Sequence, residues 1–147
     1  MKKILVINGP NLNMLGKRNH EHYGKTTLDQ VGSKLRAIAR KMDCSLLFFQ
    51  SNHEGSLIDF IQGNSKEADA ILINPGALTH YGYSLRDALE DANLPVVTVH
   101  LSDIKNREPF RKIDAFEEVS IENIYGLREK SYTKGLDILI KYINKLA

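Results

Sequence analysis

The chain carries one cysteine, Cys44, in 147 residues, so an internal disulfide is excluded. That usage fits a reducing compartment. Lys2-Lys3 and the four apolar residues after them fall far short of a signal-peptide core. No run approaches the length of a membrane span. The expectation is a cytoplasmic protein without a membrane partner. Net charge is only +2 and no stretch clusters Lys or Arg, which argues against nucleic acid. The phosphate loops G-x-G-x-x-G and G-x-x-x-x-G-K-[ST] are both missing. So is the G-x-S-x-G elbow. No carboxylate pair suits glycoside cleavage, and no His/Cys/Asp grouping has metal-ligand spacing. Repeats, low-complexity tracts and linkers are absent too, which leaves one domain over residues 1–147.

Charged residues make up 26% and hydrophobic ones 42%, enough to bury a core without staples. Short apolar runs alternate with amphipathic segments. Strands are expected at Lys3–Asn8, Ser45–Gln50, Ala70–Asn74, Val96–Leu101 and roughly Val119–Tyr125. Leu28, Val31, Leu35, Ile38 and Met42 share one helical face, and Thr27 with Gln30 forms a capping box before them. Ser51 with Glu54 repeats that pattern ahead of Leu57, Ile58 and Ile61. Ser84–Asn93 and a tail bearing Leu136, Leu139, Ile140 and Ile143 complete the helices. The pattern predicts an α/β fold with helices on both faces of a doubly wound, five-stranded parallel sheet. The expected strand order is the flavodoxin-like 2-1-3-4-5, with its switch point between the first and third strands. The long irregular stretch Ser102–Glu118 is expected to be functional.

In such a fold, ligands bind at the carboxyl ends of the strands. The first strand breaks at Asn8-Gly9-Pro10-Asn11, with Arg18 and Tyr23 soon after. The third leads into Asn74-Pro75-Gly76-Ala77-Leu78-Thr79-His80. The fourth leads into His100-Leu101-Ser102, then Arg107 and Arg111. A phenol, two imidazoles, amides and arginines should therefore converge on one rim. Guanidinium groups grip carboxylates bidentately, so an anionic, hydroxylated small molecule fits this set. A phenol held beside a cation, facing an imidazole, suits proton removal and return. Elimination of water beside a carbonyl needs those two roles. Lys17 is read as solvated, and His20, His22 and His53 as loop residues. A receiver domain would want clustered carboxylates where Asn8 and Asn11 stand. A flavin carrier would want a hydroxyl-rich loop in place of Gly9-Pro10-Asn11-Leu12.

Several motifs in order give a closer match. They are Asn8-Gly-Pro-Asn-Leu-Asn-Met-Leu-Gly-Lys-Arg18, Tyr23-Gly24 with Thr27-Leu28, Gln50-Ser-Asn-His-Glu-Gly55 and Asn74-Pro-Gly-Ala-Leu-Thr-His80. Arg86-Asp87-Ala88, His100-Leu-Ser102 and Arg107-Glu-x-Phe-Arg111 follow. Together they resemble the type II dehydroquinases (type II 3-dehydroquinate dehydratases) over nearly the whole chain. The resemblance implies a cofactor-free anti elimination that takes 3-dehydroquinate to 3-dehydroshikimate through an enolate. It assigns Tyr23 as base, Arg18 as the cation that depresses the phenol's pKa from near 10, Asn11 as holder of a water at the enolate oxygen, and His100 as general acid. Asn74, His80, Leu101, Ser102 and Arg111 match substrate-gripping positions, Leu101 and Ser102 partly through backbone N–H groups. Asp87 matches a carboxylate that reaches a neighbouring subunit's site in a dodecamer, a tetramer of trimers. No metal or organic cofactor is implied.

The chain departs from that pattern in places. Thr98 stands where relatives usually carry glutamate, two residues before His100 and on the same strand face. Without that charge, His100 is expected to have a lower pKa and the rate optimum to move to lower pH. Gly82 replaces a usual serine cap, and Asp103 a usual asparagine. The stretch from Gly126-Leu127-Arg128 to Ser131-Tyr132 lacks glycines common in relatives. Thr98 and Gly82 motivate one alternative, a catalytically weakened paralogue that still binds a shikimate-type acid.

Overall fold

The computed structural model describes residues 1–146. The chain runs β1 (Lys2–Asn8), α1 (His20–Tyr23), α2 (Leu28–Lys41), β2 (Cys44–Gln50), α3 (Glu54–Asn64) and β3 (Ala70–Asn74). It continues through α4 (Tyr83–Ala92), β4 (Val96–Val99), β5 (Glu122–Ile124) and α5 (Lys130–Leu146). All strand pairs are parallel and the order is β2-β1-β3-β4-β5, as expected. No helix among the described residues is long and apolar enough to cross a membrane.

Alternation along β1 explains the two layers. Ile4 and Val6 pack with Val31, Leu35 and Ala39 of α2 and with Leu136, Leu139 and Ile140 of α5. Leu5 and Ile7 point the other way, against Leu57 and Ile61 of α3 and Leu85 and Leu89 of α4. A strand covered on both faces reads as a continuous apolar run, and this one does. Each fully buried Leu or Ile contributes about 1.5–3 kcal/mol relative to exposure.

The capping box at α2 is formed. Thr27 Oγ1 accepts from Gln30 N at 3.2 Å and Gln30 Oε1 accepts from Thr27 N at 2.9 Å. The second box is not. Ser51 Oγ instead accepts from His53 N at 3.0 Å, and His53 is the N-cap residue of α3. Glu54 points across to α4, where its Oε2 accepts from Leu85 N at 3.0 Å. The carboxylate thus supplies the cap that Gly82 cannot. A Cβ at Gly82 would meet Leu78 O at 2.8 Å, so a serine there would force a shift.

The last strand is shorter than its sequence predicts. Glu117–Val119 forms a 3-10 turn and only Glu122–Ile124 pairs with β4. An edge strand buries one flank only, so its apolar residues need not mark its length.

The sheet delivers three polar side chains to one edge. The register sets Asn8 opposite both Gln50 and Asn74. Tyr132 of α5, wholly buried, bridges two of them: its hydroxyl donates to Asn8 Oδ1 and accepts from Asn74 Nδ2 at 3.0 Å. Burial pushes the Tyr132 phenol well up, with Asn74 opposing. Its two hydrogen bonds make it a strut between β1 and β3.

Candidate active site

The loop after β1 and the loop after β3 press backbone to backbone. Gly9 N donates to Asn74 O at 2.8 Å. On that base the chain assembles a cavity of about 100 Å³. Asn11, Arg18 and Tyr23 line it from the first loop, Asn74 and His80 from the third strand and its loop, and His100, Leu101, Ser102 and Arg111 from beyond β4. Nine of the ten expected site residues therefore share one cavity. The exception is Asp87. It is an exposed residue of α4 beside Arg86 at 4.0 Å and lines a different surface cleft.

A larger, more open cleft of about 620 Å³ lies beside the first, lined by Glu21, His22, Asp103, Arg128 and Lys130 among others. The two differ in chemistry as well as size. The groups able to move protons and grip an anion converge on the smaller one, which makes it the candidate site.

Asn11 adopts a left-handed conformation, φ 69°, which asparagine tolerates better than most residues. Its N–H donates to Asn52 Oδ1 at 3.0 Å, and Gln50 Nε2 donates to Gly9 O at 3.2 Å. β2 and its following turn thus fix the angle at which Asn11 enters the cavity. Asn74 is partly committed to the fold. Its Oδ1 accepts from Gly76 N at 3.0 Å while its Nδ2 holds Tyr132.

Tyr23 ends α1, whose N-cap Asn19 accepts from Glu21 N at 2.8 Å. Arg128 Nη2 donates to Glu21 O at 3.3 Å and ties this short helix to the start of α5. Two guanidinium groups meet the phenol, in different ways. Arg18 Cζ lies 3.7 Å from the ring centroid, over its face. Arg107 Nη1 donates to the phenol oxygen at 2.8 Å and to Ser102 Oγ at 3.2 Å. The cation on the oxygen is thus Arg107, which spacing alone did not single out. The signal was present in the pair of arginines after β4, but spacing does not say which of them turns back. Arg107 Nε is buried without a hydrogen-bond partner among the described residues. Burial lowers the Arg18 pKa, Tyr23 opposes this, and Arg107 and Arg111 add to the lowering. Three guanidinium groups crowded together favour an anionic guest.

Two imidazoles complete the wall. His80 is buried, and its Nδ1 lies 2.6 Å from Ile113 O. A carbonyl only accepts, so Nδ1 carries the hydrogen and Nε2 is left for another partner. His100 is 4% exposed, with Nε2 3.4 Å from Thr79 Oγ1. Burial pushes His100 down to about 4; Asp114 opposes, while His80 and Lys105 push further down. Thr98 is buried and donates to Asn123 Oδ1, so its hydroxyl is spent on β5.

These motifs and this geometry have close counterparts. The model of the family described as Dehydroquinase class II matches residues 2–140. The chain belongs to the class II dehydroquinase family. A 3-dehydroquinate dehydratase of Roseiflexus castenholzii is 50% identical over 138 residues, 94% of this chain and 88% of that protein. One from Halothermothrix orenii is 43% identical over 99% of this chain and 98% of its own length. The crystal structure of a type II dehydroquinase from Butyrivibrio crossotus superposes with a TM-score of 0.91 at 41% identity, covering 94% of this chain and 97% of that one.

Membership of the class II dehydroquinases accounts for the flavodoxin-like strand order and for the matched motifs. The imidazole's surroundings are this chain's own, because Thr98 brings no charge. The neighbours of His100 are Thr79, Tyr125 and, through Tyr125, Asp114. Neither Tyr125 nor Asp114 was singled out from sequence. Nothing in their spacing relates them to a histidine more than ten residues earlier.

Proposed function

We propose that this chain is a 3-dehydroquinate dehydratase acting without a cofactor, by anti elimination through an enolate. One observation carries the reading: a phenol whose oxygen is held by a guanidinium N–H at 2.8 Å shares a cavity with a buried imidazole. Tyr23, as phenolate, takes the proton beside the ketone. The electrons move to the carbonyl oxygen and form the enolate, which a water on Asn11 stabilises. The enolate then collapses and expels the hydroxyl, His100 gives that oxygen a proton, and water leaves. Arg18 lies over the face of the Tyr23 ring and Arg107 donates to its oxygen, so both hold the base in place. Asn74, His80, Arg111 and the backbone N–H groups of Leu101 and Ser102 grip the carboxylate and hydroxyls.

We read residues 1–147 as one catalytic domain in the cytoplasm, assembling as a dodecamer of four trimers. Asp87, which is exposed and lines a different cleft, would reach a neighbour's cavity. The placement of nine matched residues around one cavity supports this reading over the weakened paralogue.

The product is a conjugated enone, so mixing the protein with 3-dehydroquinate is expected to raise ultraviolet absorbance continuously. Binding seen by calorimetry with no rise in absorbance would favour the paralogue instead. Arg111 holds Glu108 Oε2 at 2.9 Å and keeps its other nitrogens for a guest. Arg111→Ala is expected to raise KM about tenfold or more, the size of a lost charge-assisted hydrogen bond, with a smaller change in kcat. Steady-state kinetics separate the two. A kcat collapse at unchanged KM would assign Arg111 to chemistry and not to grip.

A further inference from the structure

His100 has a second partner besides Thr79. The Tyr125 ring lies nearly parallel to the imidazole, with centroids 5.3 Å apart and planes 9° apart. The Tyr125 hydroxyl donates to Asp114 Oδ2. The other Asp114 oxygen accepts from Phe116 N at 2.9 Å, which fixes the carboxylate in place. We propose that Asp114 and Tyr125 are positioning residues for the general acid: the carboxylate polarises the phenol, and the phenol face supports the imidazolium. The proposal rests on the catalytic reading above and adds to it the source of His100's charge stabilisation.

An imidazolium over an aromatic face is attracted to the ring's negative quadrupole. A phenol that donates to a carboxylate is richer in electrons and attracts a cation more strongly. Burial and the hydroxyl's bond to Asp114 hold Tyr125 above the ordinary phenol range, so it stays neutral and does not compete as an acid.

The charges around His100 make this support consequential. From the loop after β3, His80 repels a proton on His100. From the loop after β4, Lys105 does the same, and its Nζ lies 5.7 Å from the Tyr125 centroid. Arg18, Arg107 and Arg111 line the same cavity, and the first two both meet Tyr23. Thr98 and Thr79 are neutral. Asp114 is the foremost influence favouring the protonated ring. Without it, burial, His80 and Lys105 act on His100 with only the phenol face against them.

The test uses Asp114→Asn and Tyr125→Phe in the full chain. Asn retains an oxygen for Phe116 N, and Phe retains the stack, so neither change removes packing. The limb of the kcat profile that falls at high pH reports the general acid. It is expected about half a unit to one unit lower in both variants, with KM little changed. The double variant should shift no further than Asp114→Asn alone, since the two act in series. Asp114→Glu should restore the limb. Limbs identical to the native profile would overturn the proposal, whatever happens to the melting temperature. So would a double variant whose shift is the sum of the two. If the native chain shows no turnover, the catalytic reading fails, and ring-proton NMR of His100 in the free protein carries the test. There a lower midpoint in Asp114→Asn supports the pair, and an unchanged one overturns it.

Discussion

Tyr23→Phe is expected to lower kcat by about 10²-fold or more while leaving KM close to native. The substitution is clean because of how the ring is held. Phenylalanine keeps the face on which Arg18 Cζ rests at 3.7 Å. It keeps the half-buried position at the end of α1. Only the oxygen is lost, and Arg107 Nη1, which donated to it, retains Ser102 Oγ at 3.2 Å. The rate loss therefore reads the oxygen as a base and not the loop's folding. Initial rates of enone formation at saturating 3-dehydroquinate measure it. A variant that keeps most of the native kcat would remove Tyr23 from the chemistry, and with it the proposed direction of proton flow.

The same geometry separates the two arginines that meet this phenol. Arg18 acts through the ring face, where attraction to the quadrupole is modest. Arg107 acts on the oxygen itself. A guanidinium donates and never accepts, so the phenol oxygen is the acceptor in that contact. Residues five apart in one loop make a cation beside a phenol readable from sequence. Which atom the cation meets depends on Arg107, which returns from the loop after β4. Its partner is 84 positions away.

That contrast marks what the sequence made legible. The strand order was, because β1 and β3 are continuous apolar runs that only a sheet covered on both faces explains. The rim was, because each strand ends in polar residues and parallel strands end together. β5 is shorter than its apolar residues suggest, because Val119 lies in a 3-10 turn and the paired residues begin only at Glu122. Ser51 and Glu54 carry the spacing of a capping box, yet Glu54 is drawn to the open N-terminus of α4. Local rules lose there to a longer-range donor. Thr98 was placed on the face that its period dictates, but its hydroxyl answers Asn123 across the ladder. Cross-strand partners, like the Asp114–Tyr125 pair behind His100, exist only after the chain has folded.

Gly9→Ala is expected to damage both stability and turnover, although alanine is a small residue and Gly9 touches no substrate atom in the proposed mechanism. A Cβ at Gly9 would stand 2.3 Å from Pro75 O and 2.7 Å from Pro75 C, both backbone atoms. No rotamer relieves a clash with backbone. The opposing contact is reciprocal, since a Cβ on Gly76, which has φ +62°, would stand 2.9 Å from Pro10 O. Two glycines thus let the loops after β1 and β3 lie against each other, and together these loops carry Asn11 and His80. Overpacking of this kind costs about 1–3 kcal/mol. At the upper end, that lowers the melting temperature by roughly 6–12 °C for a chain of this size. Spreading the loops by even an ångström displaces Asn11 relative to the opposite wall, and misplacement on that scale costs about 10²-fold in rate. Thermal unfolding and kcat/KM measured on one preparation test both halves. Native values for the two together would mean that the loops separate freely, and that their backbone contact does not set the geometry of the site.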